Sequence, residues 1–335
     1  MQRIMNFFER YASRLYFFIR KKTKSKLERK LMFLFLTPAL CVVAGVTCII
    51  DKFFTDKGNN NYLHKLAIAA IMKDEGLYIE EWICYHIVRG VDKFYLFDNG
   101  SSDNVQTILK KYIDAGIVDY TYLPGRAKQL DAYYSATQKA KKTVKYLMFL
   151  DCDEFITTAD VTADLYEVID SVFATYTNAA ALAVNWYVYG SNGHKTRPDG
   201  LVTENFVYRA KDEAEPNELV KIIAKPRSIY CMNSPHTVYP KGCLCVVNEA
   251  GQIVTGPRIP YPNNKYNLLR INHYYCKSEE ECKIKFSRGQ ADFEENIIRK
   301  WNEFIRFDLN DVYDNIVDCY IDRIYEEIEK YRYEH

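Results

Sequence analysis

The sequence predicts an α/β protein built on a doubly wound, mostly parallel sheet with flanking helices. Between residues 66 and 150, four short apolar runs alternate with three segments of helical periodicity. This alternation is typical of parallel strands joined by helices that cover both faces of a sheet. Acidic residues follow two of the apolar runs, at the strand ends where such sheets bind their ligands.

The elements of this half follow from local patterns. The predicted strands are short runs rich in apolar residues and cover residues 66–72, 93–97, 117–123 and 145–150. Within the last of them, residues 146–150 form an unbroken apolar run, as expected for a strand buried on both faces. The helices between them show apolar residues three and four positions apart and cover residues 79–87, 105–113 and 129–141. Ser102 or Asp103 is the expected N-cap of the second helix.

The pattern changes after residue 156. We expect a helix over residues 160–176 and a strand over 179–189, then short strands such as 221–224 in a stretch rich in Gly, Pro and Asn. Two charged amphipathic helices, residues 278–307 and 309–333, end the chain. The predicted domains are an amino-terminal segment (1–60), a central domain (61–307) and a C-terminal helix (308–335).

The amino-terminal segment predicts association with a membrane. Residues 20–30 carry seven basic residues and one acidic, and residues 31–50 carry no charge over a length that can span a bilayer. Upstream aromatic and arginine residues indicate a basic amphipathic helix at a membrane surface. Helices packed on the central domain are the alternative, and Pro38 and Gly45 also allow a re-entrant hairpin.

Charge and cysteine content limit the classes of partner and the cellular compartment that the sequence favours. Lys and Arg total 45 against 44 Asp and Glu, so no basic excess points to a nucleic-acid partner. The ten cysteines include no C-x-x-C pair, and several lie in apolar runs, which favours buried free thiols in a reducing compartment.

The most informative motif is an acidic triplet. Asp151, Asp153 and Glu154 follow the apolar run 146–150. Strand geometry would place the two aspartates on the same side, where they repel each other unless a cation lies between them. Mg²⁺ and Mn²⁺ bind through such carboxylates together with substrate phosphates. We therefore expect a metal–diphosphate site; a solvated Asp-x-Asp turn is the alternative.

Together with other short blocks, this motif resembles glycosyltransferase family 92 and its relatives in the family-2-like group. The resemblance covers roughly residues 65–295, and the order of its blocks makes it specific. The blocks are MKDE at 72–75, Glu80, Glu81, Trp82, His86, Gly90, FYLFDNGSSDN at 94–104, Gln129, FLDCDEF at 149–155, Trp186, 189–191, 221–226, His236, INHYY at 271–275, Lys277, Ser278 and Lys285. Asp74 stands where the family usually has Asn.

The resemblance implies a GT-A fold over residues 61–307 and transfer of a sugar, of the hexosyltransferase class, from a nucleotide-sugar donor. It makes Asp151 and Asp153 the DXD motif that holds Mn²⁺ or Mg²⁺, and it implies inversion at the anomeric carbon. Asp98 would accept hydrogen bonds from the donor's base or ribose; a turn that caps the next helix is its alternative role. The expected donor-binding residues are Glu75, Asp98, Ser101, Asp103, Gln129 and Asp151.

Two assignments stay open. Enzymes of this fold often add a histidine to the metal ligands, which here would be His236 or, as the alternative, His273. An inverting transfer needs a general base for the acceptor hydroxyl; the candidates are Asp199, Glu204, Glu213 and Glu218. Arg209 and Lys221 are candidates for contacts with phosphate.

We therefore expect a membrane-associated glycosyltransferase that uses a UDP- or GDP-sugar and a glycan or lipid-linked acceptor in surface polysaccharide synthesis. A non-catalytic membrane scaffold of the same fold, or a sugar-nucleotide pyrophosphorylase, is the alternative. The Asn99-Gly100-Ser101 glycosylation pattern lies in the expected donor cleft and favours the cytoplasmic face. A Golgi-type single-pass protein with a luminal catalytic domain is the other possibility.

Overall fold

A computed structural model of the protein describes residues 61–242, 244–287 and 301–333, with six isolated positions before residue 61. Its centre is a nine-stranded sheet in the order β3-β2-β1-β4-β8-β6-β12-β5, with β11 beside β6. The first four strands are mutually parallel, as predicted. This half comprises β1 (His64–Met72), α1 (Ile79–Val88), β2 (Lys93–Asp98), α2 (Val105–Asp114), β3 (Val118–Tyr122), α3 (Gln129–Ala140) and β4 (Val144–Phe149).

Both faces of this parallel half are covered. Alternate residues of β1 enter two different cores: Leu66 and Ile68 pack with α1, α2 and a later helix, α4 (Leu165–Thr175), whereas Ala67 and Ala69 pack with α3. Burial on both sides explains why β1, β2 and β4 have nearly continuous apolar sequences. Strand β3, at the edge of the sheet, is only partly buried, and apolar and polar residues alternate along it. The element bounds predicted from those runs therefore agree with the structure to within one or two residues.

The second half of the sheet is mixed. Strand β8 is antiparallel to both β4 and β6, and β12 is parallel to β6 but antiparallel to β5. The predicted helix 160–176 is shorter in the structure, and the strand β5 was not foreseen. The elements are β5 (Glu154–Thr158), α4, β6 (Ala179–Val188), α5 (Val202–Asn205), β7 (Tyr208–Arg209), β8 (Val220–Ala224), β9 (Ile229–Ser234), β10 (Thr237–Pro240), β11 (Cys245–Val247) and β12 (Leu269–His273), with 3₁₀ turns at Glu215–Glu218 and Pro226–Ser228.

The C-terminal region departs from the prediction of two long helices. Residues 288–300 lie outside the described part, and helices stand on either side of them. The elements are α6 (Glu279–Ser287), α7 (Trp301–Phe307), β13 (Val312–Tyr313), a 3₁₀ turn (Asp318–Tyr320) and α8 (Ile321–Tyr333). The predicted helix 309–333 is wrong in its first half, because β13 pairs with β7 there. Helix α8 packs against the central domain, where the ring centre of Tyr331 lies 4.6 Å from that of Tyr112.

A buried ion-pair cluster fastens this region to the sheet. Arg270, fully buried on β12, donates from both terminal nitrogens to the Asp314 carboxylate at 2.7 Å. Arg209 donates from Nε to the same carboxylate at 2.6 Å and from Nη1 to Asp212 at 2.9 Å. Two-pronged contacts of this kind are the stronger class of charged hydrogen bond. Arg209 therefore supports the fold in this structure, and no contact places it at a phosphate site.

No helix in the described part of the chain is long and apolar enough to cross a bilayer. The predicted amphipathic helix and the uncharged segment 31–50 lie almost entirely outside that part. The membrane association of residues 1–60 therefore stays a prediction.

Replacing Asp314 by Asn should destabilise the protein by roughly 3–5 kcal/mol, because two arginines would lose their counter-charge. Burial acts to raise the pKa of Asp314, but Arg270 and Arg209 outweigh it and hold the pKa below its ordinary value. This stabilisation is therefore present above about pH 4 and is lost as the pH falls further. Urea unfolding at pH 7 and pH 3, with the exposed Asp322→Asn as control, would measure both effects. Equal stability of the two variants at pH 7 would contradict this assignment.

Candidate active site

Asp151 and Asp153 lie in the turn between β4 and β5, and Glu154 is the first residue of β5. Strand β4 ends at Phe149, and the backbone N–H of Glu154 donates to the Asp151 carbonyl at 3.1 Å. The expectation that strand alternation aligns the two aspartates is therefore wrong, since neither lies on a strand. The three carboxylates still lie close together, so the charge on each opposes ionisation of its neighbours.

Asp151 is held by three partners. Lys221 of β8 donates to its Oδ2 at 2.7 Å, and Gln129 Nε2 and the Tyr133 hydroxyl each lie 3.2 Å from its Oδ1. Burial acts to raise the pKa of Asp151, but the Lys221 ammonium outweighs it and the pKa lies below its ordinary value. Gln129, a predicted donor-binding residue, thus lies beside Asp151. The Lys221 ammonium pairs with a carboxylate and does not face open solvent.

Asp153 is also paired with a lysine. Lys285 of α6 donates to its Oδ2 at 2.6 Å, and His273 Nε2 lies 3.4 Å from its Oδ1. Burial opposes ionisation, but Lys285 and His273 together hold the pKa of Asp153 well below its ordinary range. Asp153 is therefore a carboxylate anion with a replaceable counter-ion at its edge.

Glu154 lacks enough partners for a buried carboxylate. It is fully buried; its Oε2 accepts from the Asp151 N–H at 3.0 Å, and its Oε1 has no hydrogen-bond partner in the described residues but lies 3.5 Å from the Lys221 ammonium. Burial, reinforced by Asp151 and Asp153, raises its pKa well above the ordinary value. Glu154 therefore favours its protonated form, and a further cation at this point would compete with that proton.

The ligand atoms of three residues converge at this point. One atom each from Asp153, Glu154 and His273 lie within 4.8 Å of one another, the single such group in the described part of the chain. His273 Nδ1 is also buried without a hydrogen-bond partner. Carboxylate oxygens with an imidazole nitrogen suit Mn²⁺. The residues therefore fit a divalent cation.

The other predicted ligands lie close by but outside this group. His236 Nδ1 donates to the Val220 carbonyl at 2.8 Å, and the Trp186 ring lies 5.2 Å from His236 and 4.1 Å from His273. The converging group thus contains His273, the alternative candidate, together with Glu154, whereas His236 and Asp151 lie beside it.

Asp98 ends β2, two strands away from Asp151, which is about 10 Å across a sheet. Its Oδ1 accepts from the Ser101 N–H at 2.7 Å, and its Oδ2 accepts from the Tyr120 hydroxyl at 2.6 Å. These contacts fix its orientation at the carboxyl edge of the sheet. A carboxylate oxygen can accept a further hydrogen bond, so the donor role stays open to it.

The loops after β1 and β2 are tied together. Ser101 Oγ accepts from the Asp74 N–H at 2.9 Å, and Asp103 accepts from the Gly76 N–H at 2.7 Å and from Val105 N–H at 3.2 Å. The predicted N-cap at Ser102 or Asp103 is wrong, because Asn104 takes the N-cap position of α2 without a side-chain cap hydrogen bond. The predicted donor contacts of Ser101 and Asp103 stay predictions, because these groups have backbone partners here.

Asp74 is accommodated at the position where the family usually has Asn. It adopts a left-handed backbone (φ 53°), which Asp and Asn tolerate better than most residues. Its Oδ1 accepts from the Ser102 N–H at 2.6 Å and from Ser102 Oγ at 3.0 Å. This contact explains why Ser102 does not cap helix α2.

Glu75 and the four base candidates occupy different surroundings. Glu75 lies near the site, since its charge adds to burial in raising the pKa of Cys152. Asp199, Glu204 and Glu213 are exposed, and Glu218 is partly buried. Glu204 accepts from the Tyr325 hydroxyl at 2.7 Å, Glu213 pairs with Lys211 at 3.8 Å, and Glu218 pairs with Arg258 at 3.3 Å. None of these contacts involves the acidic turn, so the base stays unassigned.

Two lysines and Glu154 are the site residues whose roles the sequence did not reveal. Lys221 and Lys285 lie 70 and 132 residues from their aspartate partners. No local pattern links residues so far apart. Glu154 was visible in the motif, but only the structure shows that it is fully buried beside Lys221.

A parallel sheet with acidic side chains gathered at its carboxyl edge is the arrangement by which doubly wound α/β proteins bind nucleotides. The comparison with protein families then gives the particular class. Residues 68–306 match the model of "Glycosyltransferase family 92". The chain belongs to glycosyltransferase family 92, which confirms the resemblance drawn from its motifs.

Known relatives are distant in sequence. A glycosyltransferase family 92 protein of Ricinus communis is 25% identical over 231 residues, 69% of this chain and 39% of the relative. One of Arabidopsis thaliana is 22% identical over 271 residues, 78% of this chain and 44% of the relative. The chain thus spans about two fifths of these relatives. The solved structure of S. aureus TarS 1–349 shares 14% identity over 48% of this chain and 47% of its own, with a TM-score of 0.33, which supports no further argument.

The histidines of the site predict a pH dependence. Burial, helped by Lys221, lowers the pKa of His236 to about 4. Between about pH 6.5 and pH 4 His236 is protonated in the unfolded chain but neutral in the folded chain. The free energy of unfolding is therefore highest above pH 6.5 and decreases as the pH falls to about 4. Between pH 7 and pH 5 the free energy of unfolding should fall by about 2 kcal/mol less in His236→Gln than in the wild type. Urea unfolding with a chelator present would measure this. An unchanged pH slope in the variant would contradict the buried neutral state.

Proposed function

We propose that this chain is a metal-dependent glycosyltransferase that moves a sugar from a nucleotide-sugar donor to a hydroxyl of a glycan or lipid-linked acceptor, with inversion. The observation that carries the proposal is the convergence of Asp153, Glu154 and His273 at the carboxyl edge of the sheet. Asp98 lies two strands away on the same edge. Membership of glycosyltransferase family 92 supports the same reading.

Asp153, Glu154 and His273 would hold the divalent cation. The convergence of their ligand atoms within 4.8 Å supports this set, and the imidazole favours Mn²⁺ over Mg²⁺. When bound, the cation supplies positive charge against the diphosphate leaving group. Lys221 would keep Asp151 ionised and in place, since it is fully buried between Asp151 and Glu154.

Asp98 would orient the nucleoside. Its carboxylate is buried and fixed by Ser101 and Tyr120, so it can accept from a base N–H or a ribose hydroxyl without reorganising. The spacing between Asp98 and the acidic turn leaves room for a nucleoside between its base-binding and diphosphate-binding ends. Gln129, which contacts Asp151, and Glu75 would line the same cleft. The donor is a UDP- or GDP-sugar.

The cytoplasmic face of a membrane, in surface polysaccharide synthesis, is the location we propose. The Asn99 side chain is buried and donates to the Leu123 and Gly125 carbonyls at 3.0 and 2.8 Å. Glycosylation of Asn99 in a secretory lumen would break both contacts. The buried cysteines are free thiols, which also suits a reducing compartment. The basic segment 20–30 supports the alternative, luminal orientation.

Asp153→Ala should abolish stabilisation by Mn²⁺ and leave the fold intact, because Asp153 is at the edge of the core. Ligand binding stabilises a protein by about 2.7 kcal/mol at a hundred times Kd, so wild-type protein should melt at a clearly higher temperature with saturating Mn²⁺. A thermal melt with and without Mn²⁺ measures this, and Asp131→Ala on the exposed face of α3 is the control. A variant that responds to Mn²⁺ like the wild type would refute the metal assignment.

Asp98→Asn should weaken binding of UDP or GDP by about tenfold or more, since a hydrogen bond to a charged acceptor contributes about 1.5–3 kcal/mol. Binding of Mn²⁺ alone should not change, because Asp98 contacts none of the ligand group. Calorimetric titrations with each ligand separate the two effects. Asp119→Asn, on the neighbouring strand β3, is the control. Unchanged nucleotide affinity in Asp98→Asn would exclude the donor role.

A further inference from the structure

Lys285 occupies an unusual position at the edge of the acidic turn. Its ammonium contacts Asp153 Oδ2 at 2.6 Å and the Tyr275 carbonyl at 3.0 Å, and it lies 4.0 Å from the centre of the Tyr275 ring. The carbonyl and the ring would still hold the ammonium if Asp153 were taken by another cation. Lys285 therefore has a resting place that does not depend on its ion pair.

Lys221 differs from Lys285 in every one of these respects. Its side chain is fully buried on the central strand β8, between Asp151 at 2.7 Å and Glu154 at 3.5 Å. The Lys285 side chain is 26% exposed and comes from a helix at the rim. Lys221 is thus a fixed counter-ion, whereas Lys285 can move without leaving a buried charge behind.

A divalent cation and Lys285 compete for the same carboxylate. Asp153 belongs to the converging ligand group and is also the ion-pair partner of Lys285. Both cations on one carboxylate would repel each other at short distance. The diphosphate of a donor brings new negative charge to the same place and offers Lys285 a partner.

We propose that Lys285 is the counter-ion of Asp153 while no divalent cation is bound, and that it moves to the donor's diphosphate when such a cation binds Asp153. This inference rests on the proposed function and adds a residue that binds the diphosphate. It makes the cation and the nucleotide bind cooperatively, because the cation must displace Lys285 and the nucleotide gives Lys285 its new contact.

Lys277 provides a second positive charge on the same side. Its side chain is 7% exposed, and its ammonium lies 3.9 Å from the centre of the Tyr78 ring. No carboxylate of the described residues lies within ion-pair distance of it, although its charge helps to lower the pKa of Asp153. Its backbone is left-handed (φ 50°), a conformation uncommon for lysine. A diphosphate beside Asp153 would thus meet two ammonium groups from the segment after β12.

The test uses Lys285→Met, which keeps the apolar stem against Tyr275 and removes the charge. Mn²⁺ alone should bind this variant about threefold to tenfold more tightly, because its competitor is gone. UDP with saturating Mn²⁺ should bind at least about tenfold more weakly, because the diphosphate loses a charged partner. Lys285→Arg should restore the nucleotide affinity in large part.

Lys283→Met is the matched control. Lys283 lies on the same helix, its side chain is 63% exposed, and it pairs with Glu279 at 3.9 Å. It should bind both ligands like the wild type. The opposite changes expected for Lys285→Met cannot come from general damage to the site, which would weaken both ligands together.

The outcomes separate this inference from the proposed function. Tighter Mn²⁺ and weaker UDP in Lys285→Met support the exchange of partners. The role of Lys285 alone is overturned if the wild type binds both ligands and Lys285→Met either behaves like Lys283→Met or binds both ligands more weakly. That result leaves the proposed function unaffected. Wild-type protein that binds neither Mn²⁺ nor UDP or GDP overturns the proposed function itself, and the exchange with it.

Discussion

Three carboxylates held in one buried turn need positive charge, and the rest of the site is arranged around that need. Asp151, Asp153 and Glu154 would repel one another strongly in a low-dielectric interior without counter-ions. Lys221 lies between Asp151 and Glu154, Lys285 pairs with Asp153, and burial beside the two aspartates raises the pKa of Glu154 well above its ordinary value. The two lysines therefore balance the two aspartates, and Glu154 favours its protonated form unless a further cation is bound.

The mixed half of the sheet supplies what the acidic turn needs. Strand β8 inserts antiparallel between β4 and β6 and carries Lys221, and β12 carries His273 next to β5. A purely parallel sheet would have to bring these groups in by long crossovers. The strands of the mixed half thus place the imidazole of His273 and the ammonium of Lys221 against the turn that follows β4 of the parallel half.

The C-terminal region takes part in the site through β12. Arg270 and His273 lie on the same short strand, and Arg270 is fixed by Asp314 of the segment after β13. An ion-paired arginine that is fully buried resists movement, because separation would leave its charge unpaired. The position of His273 beside Asp153 therefore depends on contacts made more than forty residues later in the chain, at Asp314.

The sequence by itself determined the parallel half of the sheet and the nature of its ligand edge. Those strands are buried on both faces, so their apolar runs mark them directly, and the acidic motif that follows β4 is local. The match of its motifs to glycosyltransferase family 92 was also readable from the chain.

Only the tertiary structure decided which groups meet at the acidic turn. It brought His273 together with Asp153 and Glu154, paired Asp151 with Lys221 and Asp153 with Lys285, and placed β13 where the last helix was predicted to begin. Periodicity reports which side of an element is apolar, but it carries no information on which distant side chain will face a given charge. Those partners are chosen by the order of strands in the sheet, and that order depends on the whole chain folding together.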